Sequence, residues 1–189
     1  LKDLRERFRR TVIGYTYENK AVTCEDLKVA GAMTVLLKDA IKPNLVQSTE
    51  GHPMMCHGFP FANVAHGNNS VIEDLVALKL ADYVVTENGF GVDCGFSKMI
   101  DVKCRQSGLK VDCCVIVATV RALNQHGGVF HLRPGMAYSR VKEAAETENL
   151  VAVEKGCENL ARNIEIVKMY GVPVVVAINR FTSDTDKEL

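Results

Sequence analysis

The sequence has no net charge, no long apolar run and no tryptophan, and the first two absences exclude whole classes of protein. Lys and Arg together number 23, as do Asp and Glu, so the formal charge at pH 7 is zero. A balanced charge argues against general electrostatic capture of nucleic acid or of an anionic membrane. No apolar run approaches the roughly 18 residues that a membrane helix needs, and the charged start of the chain is unlike a secretory signal. We therefore expect neither a nucleic-acid nor a membrane partner.

A paired-cysteine framework is also missing. The chain has seven cysteines, an odd number; none forms a C-x-x-C pair, and Cys113 and Cys114 are adjacent in an apolar run. This pattern predicts buried free thiols in a reducing compartment. Three histidines and one cysteine lie close together at 52–66, but their spacing matches no zinc motif. We therefore expect no metal site.

The phosphate loop of P-loop proteins is absent as well, because no G-x-x-x-x-G-K-[ST] motif occurs in the chain. That loop supplies the backbone N–H groups and the lysine that hold ATP phosphates. If the whole protein binds ATP, we expect its phosphate cradle to lie outside these 189 residues. The composition, 47% apolar and 24% charged, is that of an ordinary globular domain.

Hydrophobic periodicity predicts alternating strands and helices. The predicted helices cover about 1–8, 24–41, 70–81, 96–104 and 149–170. The predicted strands cover about 11–17, 44–49, 83–86, 113–120 and 173–178, and 21–22 pairs back on the first strand as a hairpin. We predict an ordered, site-forming loop at 50–69 and irregular structure at 121–148. This order of elements predicts an α/β fold, a mainly parallel sheet with flanking helices.

The stretch Asp82–Gly95 contains the most informative pattern in the chain. A short apolar run ends in Thr86 and Glu87, a loop with three glycines follows, and a helix is predicted next. An exposed Phe90 can stack on a flat heterocycle. The carboxylates of Glu87 and Asp93 can bond the amine and amide groups of that heterocycle or hold a magnesium ion. We therefore predict a substrate-binding turn formed by Thr86, Glu87, Phe90 and Asp93.

Two other interpretations of this turn stay open. The spacing Gly89-x-Gly91-x-x-x-Gly95 resembles a dinucleotide fingerprint, which would indicate a nicotinamide-dependent oxidoreductase. Bulky Phe90 and acidic Asp93 fit an approaching pyrophosphate poorly. Alternatively the glycines only turn the chain, and Phe90 is a hydrophobic plug.

Polar side chains near two other chain positions suggest further ligand contacts. Asn63, His66 and Asn69 precede a predicted helix start at Ser70, and a helix N-terminus with nearby amide donors can bind a phosphate or an acyl phosphate. A loop fixed by its own polar side chains is the alternative. Asn179 follows an apolar strand, loosely like a base-reading turn in P-loop proteins, although a strand-ending Asn is the simpler interpretation.

Several long motifs of the chain resemble those of formate–tetrahydrofolate ligase. They are AGAM at 30–33, KPNLVQ at 42–47, PFANVAHG at 60–67, ALKLADYVVTE at 77–87, GFG at 89–91, VATVRAL at 117–123, HGG at 126–128 and GVPVVVAINRF at 171–181. The similarity runs nearly from end to end. It covers the middle of the family's chain, so the resemblance implies that 1–189 is an internal segment of the ligase domain, truncated at both ends.

The resemblance also implies the fold and the activity of the family. It implies an α/β core related to the P-loop NTPases, lacking the phosphate-loop portion. It implies that the full-length protein uses ATP with Mg²⁺ to convert formate into formyl phosphate, and then passes the formyl group to tetrahydrofolate to make 10-formyltetrahydrofolate. It also implies a homo-oligomer in the cytoplasm, or in mitochondria of a eukaryote.

The candidate site residues combine the residue chemistry with this resemblance. Phe90 matches the folate-stacking aromatic of the family, and no catalytic base can be named. The candidate substrate-binding residues are Phe90, Thr86, Glu87, Asp93, Asn63, His66 and Arg121, and the candidate nucleotide-binding residue is Asn179. His52, Phe59 and Asn124 depart from the family pattern, which motivates one alternative: a non-catalytic paralogue or assembly module of the same fold.

Overall fold

The computed structural model describes residues 1–58, 66–130 and 137–189. Contacts between residues divide the chain into two compact units. The first comprises Leu1–Gly58 with Ser70–Val84, and the second comprises the described part of 59–69 with Val85–Leu189. All candidate site residues that the structure describes lie in the second unit.

The first unit, in its described residues, combines three helices with two antiparallel strand pairs. The helices are α1 (Lys2–Arg9), α2 (Ala30–Leu36) and α3 (Val71–Leu80). Strand β1 (Val12–Tyr15) pairs with β2 (Ala21–Thr23), and β3 (Asn44–Gln47) pairs with β4 (Pro53–Cys56). The first pair confirms the predicted hairpin. The second pair corrects the prediction of a loop over all of 50–69, because β4 lies within that segment.

Helix α2 is shorter than predicted. The capping pair is present, since Asp26 Oδ2 accepts from the backbone N–H of Thr23 at 2.8 Å and from its hydroxyl at 2.9 Å. These bonds, the backbone bond first, lower the pKa of the Asp26 carboxyl. Lys28, however, has a φ of 58°, which the right-handed helix does not allow. The segment after Thr23 is therefore a turn, and the helix starts only at Ala30.

Helix α3 begins where the sequence predicts. The Ser70 hydroxyl accepts from the backbone N–H of Glu73 at 3.1 Å, which satisfies one donor of the first turn. The Ser70 N–H donates to the His57 carbonyl at 3.0 Å. The His57 ring lies 2.6 Å from the Ser70 hydroxyl and 2.7 Å from the Ala40 carbonyl. This histidine therefore holds the chain around the cap of α3.

In the second unit a helix follows the glycine turn in three consecutive pieces. They are a π-helical segment at Gly91–Phe96, a second at Met99–Cys104, and α4 at Arg105–Ser107. Gly108 ends the helix with a φ of 75°, as predicted. The predicted helix at 96–104 is confirmed and starts earlier than expected. Wide π-helical turns are rare and occur often at functional sites.

The strand predicted at 83–86 does not form. Tyr83 is 90% exposed and Val85 is 97% exposed. A β-rich run becomes a strand only where another strand takes its backbone hydrogen bonds. Nearby, among the described residues, only Asn88 makes a bridge, an isolated one to Asn68.

Two parallel strands and three helices complete the second unit. In chain order they are β5 (Cys114–Ala118), α5 (Val120–His126), α6 (Tyr138–Glu146), α7 (Leu150–Met169) and β6 (Val174–Ile178). Helix α7 and both strands confirm their predictions. The expectation of irregular structure over 121–148 is wrong, because α5 and α6 lie there. Thr119 starts α5 by accepting from the Ala122 N–H at 3.0 Å, a cap that the sequence prediction overlooked.

A compact apolar cluster joins the π-helical segment to the strands and to α7. Phe96, Ile116, Val167 and Val172 are buried together. The Phe96 ring meets Tyr170 edge to face, with 5.8 Å between ring centroids. Burying each of these larger side chains stabilises the fold by about 1.5–3 kcal/mol. The cluster therefore anchors the helix that follows the glycine turn.

The α/β prediction is confirmed, and the prediction of a mainly parallel sheet is confirmed only in part. Strands β5 and β6 are parallel, in register from Cys114 opposite Val174 to Ala118 opposite Ile178. The other two described sheets are antiparallel. Parallel sheets usually have both faces covered, yet one face of this pair leaves Val115 and Val117 exposed.

Candidate functional site

The glycine turn is held by backbone contacts to the segment before α3. The Gly89 N–H donates to the Gly67 carbonyl at 2.9 Å, and Asn68 forms its antiparallel bridge with Asn88. Asn68 is fully buried. The predicted turn therefore exists, but a neighbouring loop supports it where a parallel strand was expected.

Two glycines allow these segments to pack more closely than any side chain would permit. A Cβ built on Gly95 would lie 1.9 Å from the Gly89 carbonyl oxygen, and one on Gly67 would lie 2.3 Å from the Gly95 carbonyl oxygen. Real Cβ contacts do not fall below 3.0 Å. Gly67 also has a φ of 88°, which favours glycine. These glycines therefore serve close backbone packing.

A closed set of hydrogen bonds, the amide–hydroxyl ring, lies beside the turn and joins the side chains of Lys103, Asn68, Thr86 and Asn69. Lys103 is 1% exposed, and its Nζ donates to Asn68 Oδ1 at 2.8 Å and to Asn69 Oδ1 at 3.2 Å. Asn68 Nδ2 donates to Thr86 Oγ1 at 3.1 Å, and the Thr86 hydroxyl donates to Asn69 Oδ1 at 2.5 Å. Thr86, a predicted site residue, is thus bound into the protein interior.

The front of the turn faces solvent. Phe90 is 82% exposed, and Glu87 and Asp93 are exposed as well. In this chain Phe90 does not plug a core. A Cβ on Gly91 would lie 2.6 Å from Asp93 Oδ1, so the Asp93 carboxylate stands over the start of the helix. An anion would meet this negative charge, whereas a heterocycle with amine donors would not be repelled.

Arg121 lies at the other candidate position, just beyond the carboxyl end of β5. Its Nη2 lies 2.9 Å from Glu146 Oε1 and 3.2 Å from the Ser183 hydroxyl. Its guanidinium carbon lies 4.1 Å from the centroid of the Phe181 ring, a cation–π distance. Arg121 therefore ties α5, α6 and the segment after β6 together, and no hydrogen bond joins it to the glycine turn within the described residues.

An open cleft adjoins this arginine. Its volume is about 340 Å³. The polar residues that line it are Thr119, Arg121, Gln125, Lys142 and Glu146. Crevices outside the carboxyl ends of parallel strands are where open α/β sheets bind ligands. The cleft therefore lies where open α/β sheets bind small molecules, and both polar and apolar side chains line it.

Asn179 follows β6 at the same edge of the sheet. Its backbone N–H donates to the Ala118 carbonyl at 2.8 Å, and its side chain is exposed. The turn after it is closed by Asp184, whose Oδ2 accepts from the Phe181 N–H at 2.8 Å. The structure thus places Asn179 beside the end of β5.

The positions of the remaining predicted residues say less about the candidate site. His66 is partly buried beside the close-packed Gly67. Asn63 lies outside the described residues, as does Phe59. Of the other departures from the family pattern, His52 is exposed and Asn124 is buried in α5.

Metal ligation and thiol chemistry are the other features that the sequence raised. Within the described ranges, no three His, Cys, Asp or Glu side chains are grouped to hold a metal ion. All seven cysteines are free, as predicted, but Cys56, Cys113 and Cys157 are exposed, so the expectation of buried thiols is wrong for them. Burial, and then the neighbouring Cys113, raise the pKa of the Cys114 thiol. No helix in the described part of the chain is long and apolar enough to cross a membrane.

Sequence reasoning missed Lys103 and Phe181. A signal for Lys103 was available, since Phe96, Met99 and Lys103 follow helical spacing and all three are buried. A lysine on an apolar stripe is unusual, because lysine is almost never fully buried without a partner. Phe181 gave no such signal, because its contact with Arg121 spans 60 positions of sequence that only the fold brings together.

Comparison with known proteins finds relatives along the whole chain. A family model described as formate--tetrahydrofolate ligase matches residues 1–189. Proteins named formate--tetrahydrofolate ligase share 58% identity over 189 residues in Desulforamulus reducens, 55% over 190 residues in Methylobacillus flagellatus and 57% over 190 residues in Methylibium petroleiphilum. All of this chain is covered in each case, and it spans about a third, 32–33%, of the length of these curated relatives. The resemblance seen in the motifs is confirmed, and the chain belongs to the formate–tetrahydrofolate ligase family.

Proposed function

We propose that the chain is an internal segment of a ligase that forms 10-formyltetrahydrofolate from formate, ATP and tetrahydrofolate through formyl phosphate. The observation that carries this proposal is the family match over all 189 residues. Relatives bearing the ligase name are 54–58% identical over the whole chain, which does not favour the alternative of a non-catalytic module. The segment alone lacks a phosphate loop, so we expect it to be inactive.

The glycine turn forms one wall of the folate site in this proposal. Phe90 is exposed beside the carboxylates of Glu87 and Asp93, which supports stacking on a pteridine ring with acceptors nearby for its N–H donors. Thr86 is not free to bind substrate through its hydroxyl, because that hydroxyl is bonded to Asn68 and Asn69. We therefore assign Thr86 the task of fixing the turn.

The carboxyl edge of β5 and β6 forms the nucleotide-facing part of the proposed site. Asn179 and the cleft beside Arg121 lie there, at the edge where α/β proteins, including those related to the P-loop NTPases, bind ligands. The Arg121 guanidinium is already paired with Glu146. An anionic substrate that binds Arg121 therefore has to compete with this carboxylate or share its donors.

Magnesium is expected to enter with ATP and not through this segment. A magnesium ion is usually held by one or two carboxylates together with substrate phosphates. The described residues offer no group of three acidic or metal-binding side chains, and the sequence has no phosphate loop. The described side chains do not make a magnesium site by themselves.

The proposed setting is a reducing compartment, the cytoplasm or the mitochondrion of a eukaryote. The seven free thiols support this setting, since exposed thiols persist where disulfides are kept reduced. We propose a homo-oligomer for the full-length ligase. Light scattering on the full-length protein measures that state directly.

An activity assay on the full-length protein tests the proposed function. We expect formation of 10-formyltetrahydrofolate that depends on formate, ATP and tetrahydrofolate together. The 189-residue chain serves as the inactive comparison. A full-length protein that folds, binds neither ATP nor tetrahydrofolate by calorimetry and makes no product would refute the proposal.

The substitution Phe90→Ala tests the folate wall in the full-length ligase. Stacking of a flat ring on an aromatic side chain is worth about 1–3 kcal/mol by alanine substitution, so the Kd for tetrahydrofolate should rise about 5- to 150-fold. The Kd for ATP should not change. Tyr17→Ala, at an exposed aromatic in the other unit, is the matched control. An unchanged folate affinity in Phe90→Ala would remove Phe90 from the site.

A further inference from the structure

The buried ammonium of Lys103 lies within hydrogen-bonding distance of two asparagine side chains. Both partners present their Oδ1 atoms, at 2.8 Å in Asn68 and 3.2 Å in Asn69. Lys103 and Asn68 are almost completely buried, at 1% and 0% exposure. Burying a lysine is costly, and the cost is offset only where its charge is hydrogen-bonded. The two amide oxygens therefore contribute to holding the buried ammonium.

A lysine ammonium can donate hydrogen bonds but cannot accept them, and this decides the direction of the whole ring. Because Asn68 must turn its Oδ1 to Lys103, it presents Nδ2 to the Thr86 oxygen. The Thr86 hydroxyl then has its proton available for Asn69 Oδ1, which also accepts from Lys103. Each of these four hydrogen bonds joins a donor to an acceptor, and reversing either amide would place its N–H donors against the ammonium.

The ring continues into the backbone that holds the glycine turn. Asn68 bridges to Asn88, and the adjacent Gly67 accepts from the Gly89 N–H. Thr86 begins the turn, and Glu87 and Phe90 follow it with their side chains in solvent. The orientation of the two amides, of which Asn68 is fully buried and Asn69 partly buried, is therefore coupled to the position of the exposed aromatic ring.

We propose that Lys103 is a positioning residue for the folate site: its ammonium orients Asn68 and Asn69, which fix Thr86 and so hold Phe90 and Glu87 in place for tetrahydrofolate. This assignment rests on the proposed function. Lys103 does not touch the substrate in this proposal. It acts through the amide–hydroxyl ring, and its removal takes away the donor that holds the buried Oδ1 of Asn68, which loosens the turn.

Kinetics of the full-length ligase test the proposal through Lys103→Met, which keeps the chain length and removes the donors. A loop displaced by about 1 Å can cost on the order of 100-fold in rate, so we expect kcat/KM for tetrahydrofolate to fall about 10- to 100-fold. The KM values for ATP and formate should stay within about twofold. Lys110→Met is the matched control, because Lys110 is exposed on the same unit and should leave all three values unchanged.

A double-mutant cycle separates positioning from general loss of stability. If Lys103 acts by holding Phe90, then Lys103→Met in a Phe90→Ala background should weaken tetrahydrofolate binding by less than about threefold. The aromatic side chain that Lys103 positions is already absent from that background. Independent losses that multiply, or equal losses for all three substrates, would overturn the proposal.

Two further measurements test the positioning role of Lys103 without depending on the Lys103→Met variant. Thr86→Val removes the ring's hydroxyl without removing the lysine, and it should reproduce the selective folate defect even if Lys103→Met fails to fold. Amide hydrogen exchange is measured on the full-length ligase without any substrate bound. Thr86→Val should speed exchange at 86–90 and leave α7 unchanged; equal exchange in variant and wild type would refute the positioning role. An inactive wild-type ligase with the exchange effect intact would instead point to failure of the proposed function.

Discussion

Helices α5 and α7 cross at a pair of glycines, and substituting one of them is a sharp test of the fold around the cleft. A Cβ on Gly156 of α7 would lie 2.1 Å from the Leu123 carbonyl oxygen of α5. In the reciprocal position, a Cβ on Gly127 would lie 2.0 Å from the Ala152 carbonyl oxygen. The obstructing atoms are backbone atoms, which cannot rotate away. Gly156→Ala must therefore push the two helices apart.

The size of the effect follows from two opposing contributions. Alanine is a better helix former than glycine by about 0.5–1 kcal/mol. Against this, the helices must separate by at least about 0.9 Å, the gap between 2.1 Å and the 3.0 Å minimum for real Cβ contacts. Overpacking of this kind costs about 1–3 kcal/mol, because it also loosens the packing of Val120, Leu123 and Val153. We expect a net loss of about 1–2 kcal/mol.

Thermal unfolding of the chain measures this loss. For a chain of this size, about 1–2 kcal/mol lowers Tm by roughly 2–8 °C. Cys157→Ala is the matched control, because Cys157 is the next residue of α7 and is exposed; its effect should stay within about 0.5 kcal/mol. A Gly156→Ala chain as stable as the wild type, or more stable, would show that α5 and α7 do not approach this closely.

Two other changes test the N-terminal end of α7, one at its cap residue Asn149 and one at Glu188. Asn149→Ala removes the side-chain oxygen that accepts from the Ala152 N–H at 3.0 Å, and urea unfolding should show a loss of about 0.5–2 kcal/mol; no change would mean that this cap does not form. Burial alone would raise the pKa of the Glu188 carboxyl, but hydrogen bonds from the backbone N–H groups of Thr185 and Asn149 outweigh it and lower that pKa. The stability from ionised Glu188 is therefore present above the ordinary carboxyl pKa and is lost as the pH falls through the lowered value. Glu188→Gln should lower Tm near neutral pH, and the difference from the wild type should shrink on acidification; a difference that does not change with pH would contradict this assignment.

The elements that depend on local patterns were predictable from the sequence. Helix α7 has a long apolar stripe, an Asn cap and a closing Gly171 with a φ of 72°, and these signals depend only on neighbouring residues. The same holds for the cap of α3 at Ser70 and for the hairpin of β1 and β2. Formation of a helix or hairpin of this kind satisfies its backbone within one short segment.

The predictions that failed needed a partner from elsewhere in the chain. The run at 83–86 has the residues of a strand, but no described strand pairs with it. It has no regular structure, and its Tyr83 and Val85 are exposed. Strand β4 was missed for the opposite reason, because Pro53 and two methionines are poor local signals that succeed only through pairing with β3. Pairing is a property of two segments, so one segment cannot reveal it.

The candidate site also has some features that the sequence predicts and others that only the tertiary structure sets. The residue types of the turn, with Phe90 among glycines and carboxylates, predict a ligand site, and the motifs around it indicated the family that the comparison confirmed. The helical spacing of Phe96, Met99 and Lys103 was a signal for the buried lysine, but its hydrogen-bond partners were not predictable, because Lys103 lies 34 positions from Asn69. The types of residues and their spacing can be read from the sequence. The burial of a side chain and the direction of its hydrogen bonds are set only when distant segments come into contact. The amino-acid order therefore determined that this turn carries an aromatic residue among glycines and carboxylates, and the tertiary contacts of Gly67, Gly95 and Lys103 decided how the turn is held.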